Sequence, residues 1–133
     1  TFQSSNLRES NWQGANLSGA NFSRANLKKA DLSLALLTNT NFQNAQLQNA
    51  NLRNADLSLA DLRGANLSGT DLKGAKLAVP KPNQADQFLA NPLDIFKSDH
   101  LRGVNFNFAK NLNPNQINYI CKQGGIHEKC SGN

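Results

Sequence analysis

Large apolar residues recur at every fifth position from residue 2 to residue 77 without interruption. Two residues before each of these centres, from Leu7 onward, stands a small residue, and the residue immediately before it is mostly Asn or Asp, as in Ala15-Asn16-Leu17. Such a tandem array has to be recognised before any other feature, because it decides the fold. The centres, which we expect to form the structural core, are Phe2, Leu7, Trp12, Leu17, Phe22, Leu27, Leu32, Leu37, Phe42, Leu47, Leu52, Leu57, Leu62, Leu67, Leu72 and Leu77.

A period of five fits neither the 3.6-residue period of a helix nor the two-residue period of a strand. The chain must therefore turn a corner once in each unit. The small residue and the centre are two positions apart, which sends both side chains to the same side of an extended segment. We expect both to point inward, while the polar residues between and after them, such as Arg8, Gln43 and Lys73, point outward.

Phenylalanine indicates how many units make one coil. Phe2, Phe22 and Phe42 are centres that lie 20 residues apart, which predicts four units per turn and four columns of stacked side chains. Coils stacked at strand spacing rise by about 4.8 Å each. The sequence therefore predicts an all-β solenoid with the shape of a short, four-sided rod.

This pattern resembles the pentapeptide-repeat family, whose units read approximately Ala-Asp/Asn-Leu-x-x. The match runs from Ser5 to Leu77 almost unit by unit, with Leu36 and Lys76 as departures at the Asn/Asp position. The resemblance implies a right-handed quadrilateral parallel β-helix. Relatives of this type occur in cyanobacteria and in the thylakoid lumen, some of them exported.

We expect one domain made of four segments. Residues 1–79 carry the regular coils, residues 80–100 form an insertion loop, residues 101–112 return as a partial last coil, and residues 113–133 form a helical cap and tail. The partial coil follows from an echo of the repeat at Gly103-Val104-Asn105-Phe106.

A short helix is predicted after the partial coil. Asn113, Pro114 and Gln116 are typical of an N-cap, a first helical position and a capping-box glutamine. Gly124-Gly125 would end the helix. Its apolar stripe is expected to cover the open end of the column, a protection that solenoids require for solubility. The stripe consists of Ile117, Ile120 and Cys121.

The insertion is rich in apolar residues, which need a surface to cover them. In one interpretation the segment packs on the outside of the coil, where Leu34, Leu36 and Leu59 interrupt an otherwise polar surface. In the other it is a partner-binding loop. The residues that would contact a partner are Phe88, Leu89, Leu93, Ile95 and Phe96.

Cys121 and Cys130 are the only two cysteines. A disulfide is the favoured interpretation, with two free thiols or a metal site that adds His127 as alternatives. The metal site lacks a fourth ligand and the usual paired-cysteine spacing. A disulfide implies an oxidising compartment, which with the family resemblance suggests export to a thylakoid lumen or periplasm; a cytoplasmic location is the alternative. Because the chain contains no methionine, Thr1 is not a native start, and we expect a removed leader or an excised fragment.

The net charge of +5 is spread along the chain. Some relatives inhibit type II topoisomerases by mimicking DNA, but mimicry requires an excess of carboxylates, so this function is disfavoured. Nucleic-acid binding is disfavoured too, because the repeat aromatics are committed to the core and cannot stack on bases. No apolar run approaches the length that spans a bilayer.

Catalysis has little support in the sequence. His100 and His127 lie in no nucleophile, metal or acid–base motif. The carboxylates at the repeat position before the centre, Asp31, Asp56, Asp61 and Asp71, are explained as turn-forming acceptors. We expect a non-catalytic structural or interaction protein with no cofactor and no metal. We also expect a protein partner of unknown identity, and end-to-end self-association through the N-terminal end, which sedimentation velocity would detect.

Overall fold

A computed structural model describes residues 1–77 and 101–130. Within these two ranges the regular elements are one α-helix, α1 (Pro114–Lys122), and a series of parallel β-bridges of one residue pair each. Extended backbone therefore appears in short pieces between corners, as the five-residue period predicts. The insertion loop and the last three residues lie outside the described residues.

The bridges fix the coil at 20 residues. Asn6 pairs with Asn26, and Asn26 pairs with Gln46, and the same step recurs in all four columns. Four units per coil are thereby confirmed. We name the four sides of the coil by their centres, in chain order. The first side has Phe2, Phe22, Phe42 and Leu62; the second has Leu7, Leu27, Leu47 and Leu67; the third has Trp12, Leu32, Leu52 and Leu72; the fourth has Leu17, Leu37, Leu57 and Leu77.

The phenylalanines stack as their spacing predicts. The rings of Phe2 and Phe22 are 4.9 Å apart between centroids, and those of Phe22 and Phe42 are 5.4 Å apart, both nearly parallel. All centres from Phe22 to Leu77 are buried, whereas those of the first coil are half-buried, because no described residue lies beneath them. The core is a column one centre wide on each side.

Each unit closes its corner with local hydrogen bonds. The N–H of Ala30 donates to the carbonyl of Leu27 at 3.0 Å, and the N–H of Lys28 donates to the side chain of Asn26 at 3.1 Å. The second bond is why Asn and Asp dominate the position before the centre, since their short side chains reach the backbone two residues on. The N–H of Leu27 then donates to the next coil, to Gln46 O at 2.7 Å.

The last residue before each new small residue adopts a left-handed conformation, as at Lys29 (φ 60°) and Asn49 (φ 61°). Glycine takes this position at Gly64, where a Cβ atom would lie 2.1 Å from the side-chain oxygen of Asn44. The corner thus selects residues that tolerate positive φ and leave room for the coil below.

The coil resumes after the insertion. Asn105 pairs with Asn66 and Lys110 pairs with Asp71, at a sequence separation of 39 residues instead of 20. Leu101 and Phe106, the centres of this segment, are both buried. Residues 101–110 therefore form part of a fifth coil, which pairs with the fourth coil on the second and third sides.

The predicted helix is confirmed at α1. Asn113 is its N-cap, and both bonds of the capping box to Gln116 are present. The side chain of Gln116 also donates to the carbonyls of Leu72 and Ala75, each at 3.0 Å, so the helix is tied to the fourth coil. Ile120 is fully buried. That α1 protects the open end of the column stays a prediction.

The tail differs from the sequence interpretation, which placed residues 113–133 in a helix and a tail. Ile126 pairs with Asn105, and His127 takes the centre position of a sixth unit on the second side, where it is 6% exposed. Gly125 fills the small-residue position, because a Cβ atom there would lie 2.7 Å from the side chain of Ile120. The repeat therefore continues past the helix.

Candidate interaction surfaces

Cys121 and Cys130 are bonded to each other, with Cα atoms 5.4 Å apart, which agrees with the predicted disulfide. The bond joins α1 to the last unit. Because both thiols are consumed, neither can serve as a thiolate metal ligand in this state. His127 accepts a hydrogen bond at Nδ1 from the N–H of Lys129 at 3.1 Å and acts as a core side chain. Across the two described ranges, no cluster of His, Cys, Asp and Glu could hold a metal ion.

Asp61 is the most closely bonded carboxylate of the coil. Gln43 donates to it at 2.6 Å and Arg63 at 2.7 Å. Burial alone would raise the pKa of Asp61, but the hydrogen bonds from Arg63 and Gln43 outweigh this effect and lower it. Gln43 does point away from the core, yet it is half-buried rather than free in solvent.

The same direction holds at Asp56, whose pKa is lowered by hydrogen bonds from Ser58. A general acid needs a carboxyl group with a raised pKa, poised near the working pH. The pKa values of Asp56 and Asp61 are both lowered, which takes them away from that range. The carboxylate of Asp71 lies 3.6 Å from the Arg53 side chain and accepts a hydrogen bond from Asn111. These groups close turns and link coils.

An open groove of about 340 Å³ lies between α1 and the fourth coil. Its lining includes Ala75, Leu77 and Tyr119, together with Lys76 and Gln116, and contains no His, Cys or carboxylate. The groove therefore has one charged group, Lys76, among its described lining residues. It lies where the chain leaves the first described range at Leu77.

The described surface carries five exposed large apolar residues, on two parts of the rod. Leu34, Leu36 and Leu59, which the sequence singled out, are 55%, 47% and 40% exposed at the third and fourth sides. Phe108 is 72% exposed and Ile126 is 47% exposed on the second side. Sequence reasoning missed the second pair, although Phe108 stands at the same repeat position as Leu34 and Leu59, which elsewhere holds polar residues or glycine.

The predicted contact residues of the insertion all fall outside the described residues, so the choice between packing on the coil and binding a partner stays open. They are Phe88, Leu89, Leu93, Ile95 and Phe96. None of the helical structure within the described ranges is long and apolar enough to cross a membrane.

Comparison with known proteins agrees with the repeat. The family model described as pentapeptide repeats (8 copies) matches residues 2–39 and 40–77, which is more than half of the chain. No curated protein matches the chain.

Three pentapeptide repeat proteins are among the solved structures that are similar to the chain. One, from the thylakoid lumen of Arabidopsis thaliana, is 26% identical, with 98% of this chain and 84% of that chain covered and a TM-score of 0.39. One from Nostoc Pcc 7120 is 23% identical, covering 92% and 76%, with a TM-score of 0.38. One from the cyanobacterium Cyanothece 51142 is 39% identical over 54% of this chain and 56% of that chain, with a TM-score of 0.27. Because these TM-scores are low, family membership rests on the repeat model.

Proposed function

Because the chain belongs to the pentapeptide-repeat family, whose members are right-handed β-helix solenoids and in general non-enzymatic scaffolds, we propose that it is a non-catalytic interaction or scaffold module. The observation that carries this proposal is the state of the described carboxylates. Asp56 and Asp61 have lowered pKa values and are bonded to their own coil or to the next one. These carboxylates recur at one repeat position and accept hydrogen bonds that close turns. This pattern supports a structural role rather than acid–base chemistry.

In this proposal the rod is a quadrilateral scaffold, and α1 is its C-terminal cap. The bonds from Gln116 to the fourth coil and the burial of Ile120 support the capping role. The disulfide, which ties α1 to the last unit, supports an exported location such as a thylakoid lumen or periplasm, since disulfides persist in oxidising compartments.

The insertion is the proposed source of partner specificity. The outward positions of the coil are mostly Asn, Gln, Ser, Lys and Arg, a surface that discriminates poorly between partners. Aromatic side chains, by contrast, dominate the energetics of protein interfaces. Phe88 and Phe96 are the two aromatic residues of the insertion.

The test replaces both aromatic residues in the full chain. We expect the Phe88→Ser/Phe96→Ser variant to capture at least about tenfold less partner from an extract of the source cells, since truncating a hot-spot residue costs about 2 kcal/mol or more. Its circular dichroism should match that of the wild type. The matched control is Gln84→Ser/Gln87→Ser, in the same segment. Equal capture by both variants would redirect the search to the faces of the rod or to its N-terminal end.

A further inference from the structure

The second side carries the longest ladder of bridges. Six successive units pair on it, at Asn6, Asn26, Gln46, Asn66, Asn105 and Ile126. Five steps of about 4.8 Å make this side about 24 Å long. The sixth unit, Ile126–Cys130, follows α1 in the sequence and adds the last step to this side. The result is one continuous face with different chemistry at its two ends.

The N-terminal end of this face is basic. Arg8 and Lys28 hold the same position in consecutive coils, and the N–H of Glu9 donates to Lys28 O at 2.9 Å, which shows that the two units are stacked. Lys29 follows Lys28 and is exposed. Glu9, 4.0 Å from Arg8, is the carboxylate of these two units, and no ion pair joins Lys28 or Lys29 to a described carboxylate.

The C-terminal end of the face carries two exposed apolar residues, Phe108 and Ile126, beside the charged Glu128 and Lys129, and Phe108 has unfavourable backbone geometry. Phe108 has φ 61°, a left-handed conformation that bulky side chains rarely adopt. Its N–H donates to the carboxylate of Glu128 at 2.8 Å, which also lowers the pKa of Glu128. Phe108 is 72% exposed, so the fold gains little burial in return. Strained residues of this kind are a reason to look for function.

The same repeat position elsewhere on the second side holds residues that suit the corner or the solvent, namely Glu9, Lys29, Asn49 and Gly69. An exposed phenylalanine is therefore the exception on this side, and the next unit of the same side carries a second exposed apolar residue. Ile126 sits one coil above Asn105 on the same side and is 47% exposed. Lys129 occupies the next unit at the repeat position of Phe108 and is exposed as well.

We propose that the second side docks on an anionic lipid surface. Phe108 and Ile126 enter the boundary between headgroups and acyl chains, where amphipathic and aromatic groups are favoured. Arg8, Lys28 and Lys29 contact the headgroups, since basic side chains near an anionic bilayer are attracted to it. This placement is independent of any protein that the insertion binds.

Charge complementarity alone would also fit an acidic protein or a nucleic acid. The lipid surface is favoured because the exposed Phe108 and Ile126 need an apolar partner. Bases would require aromatic side chains among the phosphate-contacting cations, and the basic end of the second side has none. The lipid surface accounts for both ends of the face together.

The first test measures sedimentation of the full chain with vesicles of phosphatidylcholine containing about one third phosphatidylglycerol, and with vesicles of phosphatidylcholine alone. Binding is expected to the anionic vesicles only. The Lys28→Gln/Lys29→Gln variant should show a partition coefficient about 25-fold lower, at about fivefold for each lost charge. The control, Lys73→Gln/Lys76→Gln, carries the same net charge but changes the third and fourth sides, and should stay within about twofold.

The second test separates the apolar contribution from folding. Asn tolerates positive φ, so Phe108→Asn should leave the melting temperature unchanged or raise it. Its binding to anionic vesicles should nevertheless fall several-fold. Leu34→Asn is the matched control, since Leu34 is 55% exposed and has φ 60° on the third side of the rod, and its binding should not change.

Three results of the vesicle experiments would overturn the lipid proposal. They are equal partition of the two charge variants, binding to neutral vesicles as strong as to anionic ones, and undiminished binding of a stably folded Phe108→Asn variant. Capture by immobilised polyglutamate or duplex DNA without any vesicle binding would also overturn it, and would identify an acidic macromolecule as the partner of this face.

Discussion

The substitution Leu52→Ala is expected to lower the free energy of unfolding by about 2 to 5 kcal/mol. Leu52 is fully buried, and its coil supplies one centre to each side of the column. The hydrogen-bonded coils above and below hold their spacing, so the cavity cannot easily collapse. Gln46→Ala, at an exposed outward position, should change stability by no more than about 0.5 kcal/mol.

Denaturant midpoints of the two variants, with an unchanged dependence on denaturant, give the comparison directly. Equal losses at Leu52 and Gln46 would mean that the inward and outward assignments are wrong. A larger loss at Gln46 would mean that the column is displaced by one residue along the chain.

The double substitution Cys121→Ser/Cys130→Ser is expected to cost about 2.5 to 3 kcal/mol, which is the chain-entropy effect of opening a loop of about ten residues. The loss of stability should be confined to the C-terminal end of the rod. The amide of Ile126, which donates to Val104 O at 2.8 Å, should exchange with deuterium faster, while the amide of Leu52, bonded to Asp71 O at 2.9 Å, should keep its protection.

Reduction of the wild-type protein should reproduce the effect of the double variant, and reductant should not affect the variant itself. Faster exchange at Leu52 in the variant would show that the disulfide supports the whole rod rather than its end. Alkylation of protein taken from its native source, followed by intact mass, tests the compartment. Two alkylated thiols there would remove the evidence for export.

The column architecture could be predicted because each of its rules repeats many times. The five-residue period places Leu52 in the core, and the spacing of Phe22 and Phe42 gives the 20-residue coil. Because so many units follow the pattern, a single departure such as Leu36 does not change the prediction. The helix could be predicted from Asn113 and Gln116, since a capping box is a local device that needs no knowledge of the rest of the fold.

The sixth unit was missed because its residues differ from the repeat at every diagnostic position. Gly125 replaces alanine, Ile126 replaces Asn or Asp, and His127 replaces leucine, so only the register could have shown it. Phe108 was missed for a different reason. The period assigns that residue to the surface, but it does not show that a left-handed corner there is occupied by an exposed aromatic ring.

The hydrogen bonds around Asp61 could be predicted only in part. Gln43 and Arg63 are 20 residues apart and therefore occupy the same position in consecutive coils, which the repeat predicts. Whether such neighbours bond to each other or to a carboxylate depends on side-chain rotamers, which periodicity does not specify.

The stacking of residues 20 apart is the central claim, because every side and surface described above depends on it. Nuclear Overhauser effects between the phenylalanine rings test it most directly, with the Phe22→Leu variant used for assignment. The fold predicts contacts from Phe22 to both Phe2 and Phe42, at centroid distances of 4.9 and 5.4 Å, and no direct contact between Phe2 and Phe42. Absence of both contacts of Phe22, in a protein whose ring resonances are resolved, would contradict the four-unit coil.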